Sequence, residues 1–150
     1  MESRYESFSL AISSLYHDIQ KIERVEMARF GLKGPHAQCM LALSRYPAGL
    51  TSSQLCEICD KDKAAISRTI SELEEVGMIF RQDRNGNRYR APVMLTPQGI
   101  LAAQSVAERA RLAVEQAGMG LDENQRQVFY QVLSLIAGNL HTICKDGLSK

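Results

Sequence analysis

The stretch from Leu50 to Thr96, LTSSQLCEICDKDKAAISRTISELEEVGMIFRQDRNGNRYRAPVMLT, decides the fold. It begins with two short helical segments, Thr51–Cys59 and Lys63–Val76, separated by a tight polar turn. Thr51 suits the N-cap of the first, and Gln54 three residues later closes a capping box. Asp62 suits the N-cap of the second, because its short carboxylate accepts from the orphan N–H groups of a first turn. Ile66, Ile70, Leu73 and Val76 recur at helical spacing and are expected to face a core. Gly77 stands where a helix needs a residue tolerant of left-handed geometry in order to stop. The β-prone Met78-Ile-Phe-Arg81 follows, then the turn dipeptide Asn85-Gly86, then a second strand ending at Leu95. Asn-Gly favours a two-residue type I′ turn. Pro92 cannot donate to a ladder, so its side of the hairpin is expected to be an unpaired edge.

Helix, tight turn, helix and β-hairpin is the order of a winged helix-turn-helix, and the expected fold is mainly α with this small β-hairpin. With the apolar stripe turned inward, Lys63, Ala64, Ala65, Ser67, Arg68 and Ser71 are left on the outer face of the second helix. The early residues there are small or hydrogen-bonding, as close approach to base edges requires, and Arg68 can contact guanine in bidentate fashion. The hairpin carries Arg81, Arg84, Arg88 and Arg90 against the single acid Asp83. Arginines at a hairpin tip suit a narrow, electronegative minor groove or the flanking phosphates. The expected partner is therefore double-stranded DNA, with Arg84, Asn85, Arg88 and Arg90 holding the duplex beside the reading helix. A solvated amphipathic helix and a basic hairpin with no partner are the plainer alternatives for the same residues.

Taken in order, Gly31-Leu32, Leu55-Cys56, Asp62-Lys-Ala-Ala-Ile-Ser-Arg68, Leu73-Glu-Glu-Val-Gly77, the arginine-rich hairpin and Leu95-Thr-Pro-Gln-Gly99 resemble the MarR family of bacterial transcription regulators. The resemblance extends over nearly the whole chain, and its specificity lies in the order and spacing of motifs that are loose individually. It implies a homodimer that reads a pseudo-palindromic site and releases DNA when a small molecule or an oxidant arrives. One departure stands out. The family's wing commonly carries Asp-Arg-Arg shortly before the Leu-Thr pair, and the aligned residues here are Asn87-Arg88-Tyr89. Arg88 keeps the arginine that the resemblance would send into a minor groove, while the salt bridge made by the missing Asp is put in doubt.

The 150 residues, 45% of them hydrophobic, suffice for one compact domain or for a core with an association layer. The expected layout is a single domain, 1–150, with a winged-helix lobe at 33–96 and a helical dimerisation layer at 1–30 and 97–150. Phe8, Ile12, Leu15, Ile19 and Ile22 alternate steps of four and three, a coiled-coil-like seam. Asp122 and Gln125 form a second capping box, after which Phe129, Val132, Leu133, Ile136, Leu140 and Ile143 make another stripe. Phe8, Ile12, Leu15, Phe129, Ile136 and Leu140 are the expected dimer contacts, with packing onto the monomer core as the alternative. Between these ends Thr96-Pro97 opens a long helix with Ala103, Ala107, Ala110 and Val114 on one side, and Gly34-Pro35 opens a scaffolding helix. No long apolar run or secretory signal is visible, so a cytoplasmic protein without membrane contact is expected. Net charge is only +1, so affinity for DNA must come from local clustering.

Cys56-x-x-Cys59 lacks the second pair of a zinc site and the βαβ setting of a redox motif, so both thiols are read as core packing. Cys39 and Cys144 would be sensors only if exposed and thiolate-like. His17, His36 and His141 show no metal-binding spacing, and neither a metal nor a cofactor is expected. No phosphate loop, nucleophile elbow or deaminase set is present, which argues against an enzyme. The expected function is a ligand-responsive homodimeric repressor whose effector is a small molecule that the residues do not identify. Two other readings use the same fold: a regulator switched by Cys39 or Cys144, and a protein-docking module that ignores DNA.

Overall fold

The computed structural model describes residues 3–82 and 90–149. In chain order they form α1 (Arg4–Ala28), α2 (Gly34–Arg45), α3 (Ser52–Cys59), α4 (Lys63–Glu75), β1 (Ile79–Arg81), β2 (Val93–Leu95), α5 (Pro97–Ala117) and α6 (Glu123–Asp146). Two compact units divide the chain, Met1–Leu112 and Ala113–Lys150.

The first unit is built on α2, α3, α4 and the root of the hairpin. Thr51 caps α3 and Gln54 returns the bond, completing the expected box. Asp62 Oδ1 accepts from the Ala65 N–H at 2.7 Å and caps α4. The two helices are joined through Asp60, which takes left-handed geometry at φ 51° although it carries a side chain. Asp tolerates this better than most residues because its short polar side chain can bond locally. At the far end of α4 the Met78 N–H donates to Leu73 O at 2.9 Å and the Gly77 N–H to Glu74 O at 3.0 Å. That reciprocal pair closes the last turn, and it requires the positive φ of 75° that Gly77 supplies without strain.

Ile66, Ile70 and Leu73 enter the core with Met27, Met40, Leu43, Leu50, Leu55, Val93 and Val106. Val76 does not: it is 48% exposed, and Thr69 is buried in its stead. The reason is its place at the C-cap, where the helix has ended and the stripe has rotated off the buried face. β1 and β2 are antiparallel, with Ile79 opposite Leu95, Phe80 opposite Met94 and Arg81 opposite Val93. Pro92 precedes β2, and its carbonyl accepts from the Gln82 N–H at 3.1 Å. The outer edge beside it is not unpaired as expected from sequence. Leu50 and Val93 exchange both backbone bonds, at 3.0 and 2.7 Å, so the residue entering α3 is bridged to β2.

Thr96 joins three elements. Its hydroxyl donates to Gly77 O at 2.6 Å and accepts from the Gly99 N–H at 3.1 Å, capping α5 while gripping the end of α4. A Cβ at Gly99 would overlap the Met78 carbonyl oxygen, so α5 approaches β1 closely only because this residue has no side chain. From there α5 buries Ala102, Ala103 and Val106. The small-residue side read from sequence is buried at Ala103, while farther along the same side Ala107 and Val114 lie exposed and Ala110 is half-buried. Near the end of α1, the buried carboxylate of Glu26 is satisfied by Arg29 at 3.2 Å and by the Ser105 hydroxyl of α5 at 3.0 Å. Earlier in α1, Phe8, Ile12 and Leu15 are exposed, at 39, 40 and 56%.

The second unit holds the end of α5 and all of α6. Asp122 caps α6, and Gln125 completes the box. Arg126 donates to Gly118 O at 3.2 Å, fastening the turn that precedes the helix. Phe129 and Tyr130 meet edge to face at 5.3 Å. No residue of α6 is buried, and Phe129 and Leu140 remain 48 and 46% exposed, with Ile136 half-buried. Among the described residues, no helix is long and apolar enough to cross a membrane.

Candidate nucleic-acid interface

Helix α4 has a buried face and a surface face with different chemistry. Ile66, Ile70 and Leu73 anchor the first, at no more than 3% exposure. On the second, Lys63, Ala64, Ser67, Arg68 and Ser71 are exposed and Ala65 is half-buried. The outer-face residues read from sequence thus share one side of one helix. Small side chains next to Arg68 leave room for its guanidinium to reach a planar acceptor.

The hairpin divides its arginines. Arg84, Asn85 and Arg88 lie outside the described residues, while Arg90 is described and exposed where the chain returns toward β2. Arg81 has a different task from the one its place in the cluster suggests. Its Nε donates to Glu74 Oε1 at 3.0 Å in a pair that is 16 and 25% exposed, bolting β1 to α4.

A second link to α4 has no sequence signal beyond residue type. His36 in the first turn of α2 is buried, and its Nε2 lies 2.6 Å from Glu72 Oε2 on α4. Its Nδ1 accepts from the Lys33 N–H at 3.0 Å. The hydrogen bond from His36 holds the Glu72 carboxyl below the ordinary carboxylate range, and the charges of Lys33 and Arg68 act in the same direction. Glu72 falls one turn after Arg68, which the numbering shows, but nothing in the sequence pairs it with a residue of α2.

The cysteines separate by environment. Cys39 is 1% exposed, and burial pushes its thiol up to about 12, with Cys59 adding to the effect. Cys56 and Cys59 pack against the core, and burial also raises the Cys59 thiol. Cys144 is exposed. Among the described residues, no group of three or more His, Cys, Asp or Glu is arranged to hold a metal ion. A cleft of about 330 Å³ opens between α1 and the start of α2, lined by Gln20, Glu23, Arg24, Gly34, Gln38 and Lys61 among others. Burial raises the Glu23 carboxyl there, and Arg45 partly offsets it.

Two helices joined by a tight turn, the second presenting a polar face, with an antiparallel hairpin behind them, define a winged helix-turn-helix protein. The model of the MarR family matches residues 30–88. That match spans the winged-helix segment, which is similar to the MarR family. A search of curated proteins returns no match. Among solved structures, the chain is similar to a MarR transcriptional regulator from Methanosarcina mazei, with 22% identity, 95% of this chain and 94% of that one covered, and a TM-score of 0.80. It also resembles a MarR-family regulator from Silicibacter pomeroyi, at 21% identity, 86% coverage of each chain and a TM-score of 0.70. A third, MepR, a transcription regulator of the Staphylococcus aureus multidrug efflux pump MepA, is 16% identical, with 89% of this chain and 98% of that one covered and a TM-score of 0.68. At these identities the likeness is one of fold.

Proposed function

We propose that this protein is a sequence-specific, DNA-binding transcription regulator that acts as a homodimer on a pseudo-palindromic operator. The observation that carries the reading is the outer face of α4, where small and hydrogen-bonding residues surround an exposed Arg68 on a helix fixed from behind. Lys63, Ala64, Ala65, Ser67, Arg68 and Ser71 read the major groove. Arg84, Asn85, Arg88 and Arg90 hold the flanking duplex, in part through phosphates.

Dimerisation is supported by apolar side chains that α1 and α6 each leave exposed, Phe8, Ile12 and Leu15 on one and Phe129 and Leu140 on the other. Two reading helices must sit roughly 34 Å apart to enter successive major grooves. A small-molecule effector that changes that separation releases DNA, and by linkage DNA weakens effector binding by the same factor. The cleft between α1 and α2 is the proposed seat of the effector, and repression is the proposed outcome of operator occupancy. A cytoplasmic location follows from a chromosomal target.

Selection of bound duplexes from a random library, followed by footprinting and a salt titration, tests this. The expected result is two protected half-sites spaced by one helical turn, with affinity falling steeply as salt rises. Indifference to duplex DNA at low salt would overturn the proposal and favour a docking module.

A further inference from the structure

We propose that Glu72 is a positioning residue for Arg68: its carboxylate, fixed by the buried ring of His36, sets the direction in which the guanidinium is presented. The inference rests on the DNA-reading role of α4 argued above. A carboxylate on a helix surface ordinarily swings among rotamers, and this one is tethered. Its Oε2 lies 2.6 Å from His36 Nε2, and the His36 side chain is only 6% exposed.

The protonation of the ring follows from its other contact. The Lys33 backbone N–H can only donate, and it donates to Nδ1 at 3.0 Å. Nδ1 therefore presents a lone pair, and Nε2 carries the hydrogen that goes to Glu72. Flipping the ring would place carbon against both partners, so one tautomer in one orientation is held. The same bond caps the first turn of α2, so the anchor of Glu72 belongs to the scaffold.

Arg68 lies one turn before Glu72 on the same helix, the spacing at which side chains meet. Its long stem loses much rotamer freedom on binding, and a bidentate contact to guanine demands one orientation. A fixed negative charge beside it restricts the guanidinium before DNA arrives, which lowers the ordering cost of the specific complex. That charge also repels phosphates, so it weakens attachment to the wrong sequence and widens the gap between right and wrong sites.

The test compares the wild type with Glu72→Gln, Glu72→Asp, Arg68→Ala and the double variant Glu72→Gln/Arg68→Ala. Two duplexes serve as probes: the selected operator, and the same operator altered at the base pair whose preference Arg68→Ala relaxes. Nitrogen-15 relaxation of the Arg68 Nε–H in the DNA-free protein provides a reading that does not involve DNA. Glu72→Gln keeps an acceptor for His36 and removes the charge. It is expected to free the Arg68 Nε–H, to reduce discrimination between the duplexes about two- to fivefold, and to tighten binding to unrelated DNA. Glu72→Asp keeps the charge but is too short to reach the ring, and it should lose discrimination without tightening non-specific binding.

In the Arg68→Ala background, Glu72→Gln should leave discrimination unchanged. The same loss in that background, full discrimination by Glu72→Asp, or an Arg68 Nε–H as mobile in the wild type as in Glu72→Gln would overturn the proposal. If the wild type binds no duplex, the DNA reading of α4 fails, and relaxation alone decides whether Glu72 orders Arg68.

Discussion

At Gly99 the backbone of α5 rests against the carbonyl of Met78, and a methyl group there overlaps the oxygen. Neither neighbour is the flexible end of a side chain, so the contact cannot relax cheaply. Gly99→Ala should cost about 1–3 kcal/mol, the range for overpacking a tight contact, and urea unfolding will measure it. Wild-type stability in that variant would mean that α5 can shift without loss. Cys39 makes a different prediction. In the unfolded chain its thiol ionises near its ordinary value of 9.0, whereas the folded protein keeps it protonated until about 12. Stabilisation by the neutral buried thiol is therefore complete below pH 9 and is lost as pH climbs toward 12, at about 1 kcal/mol per unit. Unfolding between pH 8 and 10.5 should show a steeper alkaline decline in the wild type than in Cys39→Ala. Equal slopes would show that the thiol ionises in place. The same burial makes Cys39 a poor oxidant sensor, which leaves exposed Cys144 as the candidate for a thiol-switched version.

Among the elements, α4 and the hairpin are proposed to make separable contributions to binding. Arg68→Ala should lose about 1–3 kcal/mol and relax preference at one base pair, while Arg90→Ala should weaken all sequences alike and flatten the salt slope. A randomised DNA library reports both, and unchanged profiles for both variants would remove the proposed surface. Much of these elements is legible from local chemistry. The Thr51–Gln54 box, the Asp62 cap and the stop at Gly77 each depend on residues within one turn, and each forms as the sequence implies. Val76 fails locally, at the helix end, whereas two other failed readings depend on distant partners. Nothing near Pro92 announces that Leu50 will bridge the strand beside it, and nothing in an arginine cluster marks Arg81 as the one that Glu74 will bind. The proposed interface shows the same division. Its outer face follows from helical spacing, whereas the His36 tether comes from a neighbouring helix.

For the whole molecule, association is the property on which the proposed control depends. Ile12→Glu or Leu140→Glu should split the dimer or unfold it, because a buried charge without a partner is strongly destabilising. Operator binding should fall with either, since one half-site offers too few contacts, and sedimentation with and without duplex will show it. A folded monomer that still grips the full operator would refute the coupling. The Leu50–Val93 bridge has a consequence of another kind, expressed in time. It fastens the chain on its way into α3 to the chain on its way out of the hairpin, with Val93 wholly buried. Releasing the Val93 amide requires undoing the grip on both reading helices and the wing's root together. Its hydrogen should thus exchange with deuterium only when the lobe opens as a unit, well behind the amides that local fraying at helix ends sets free.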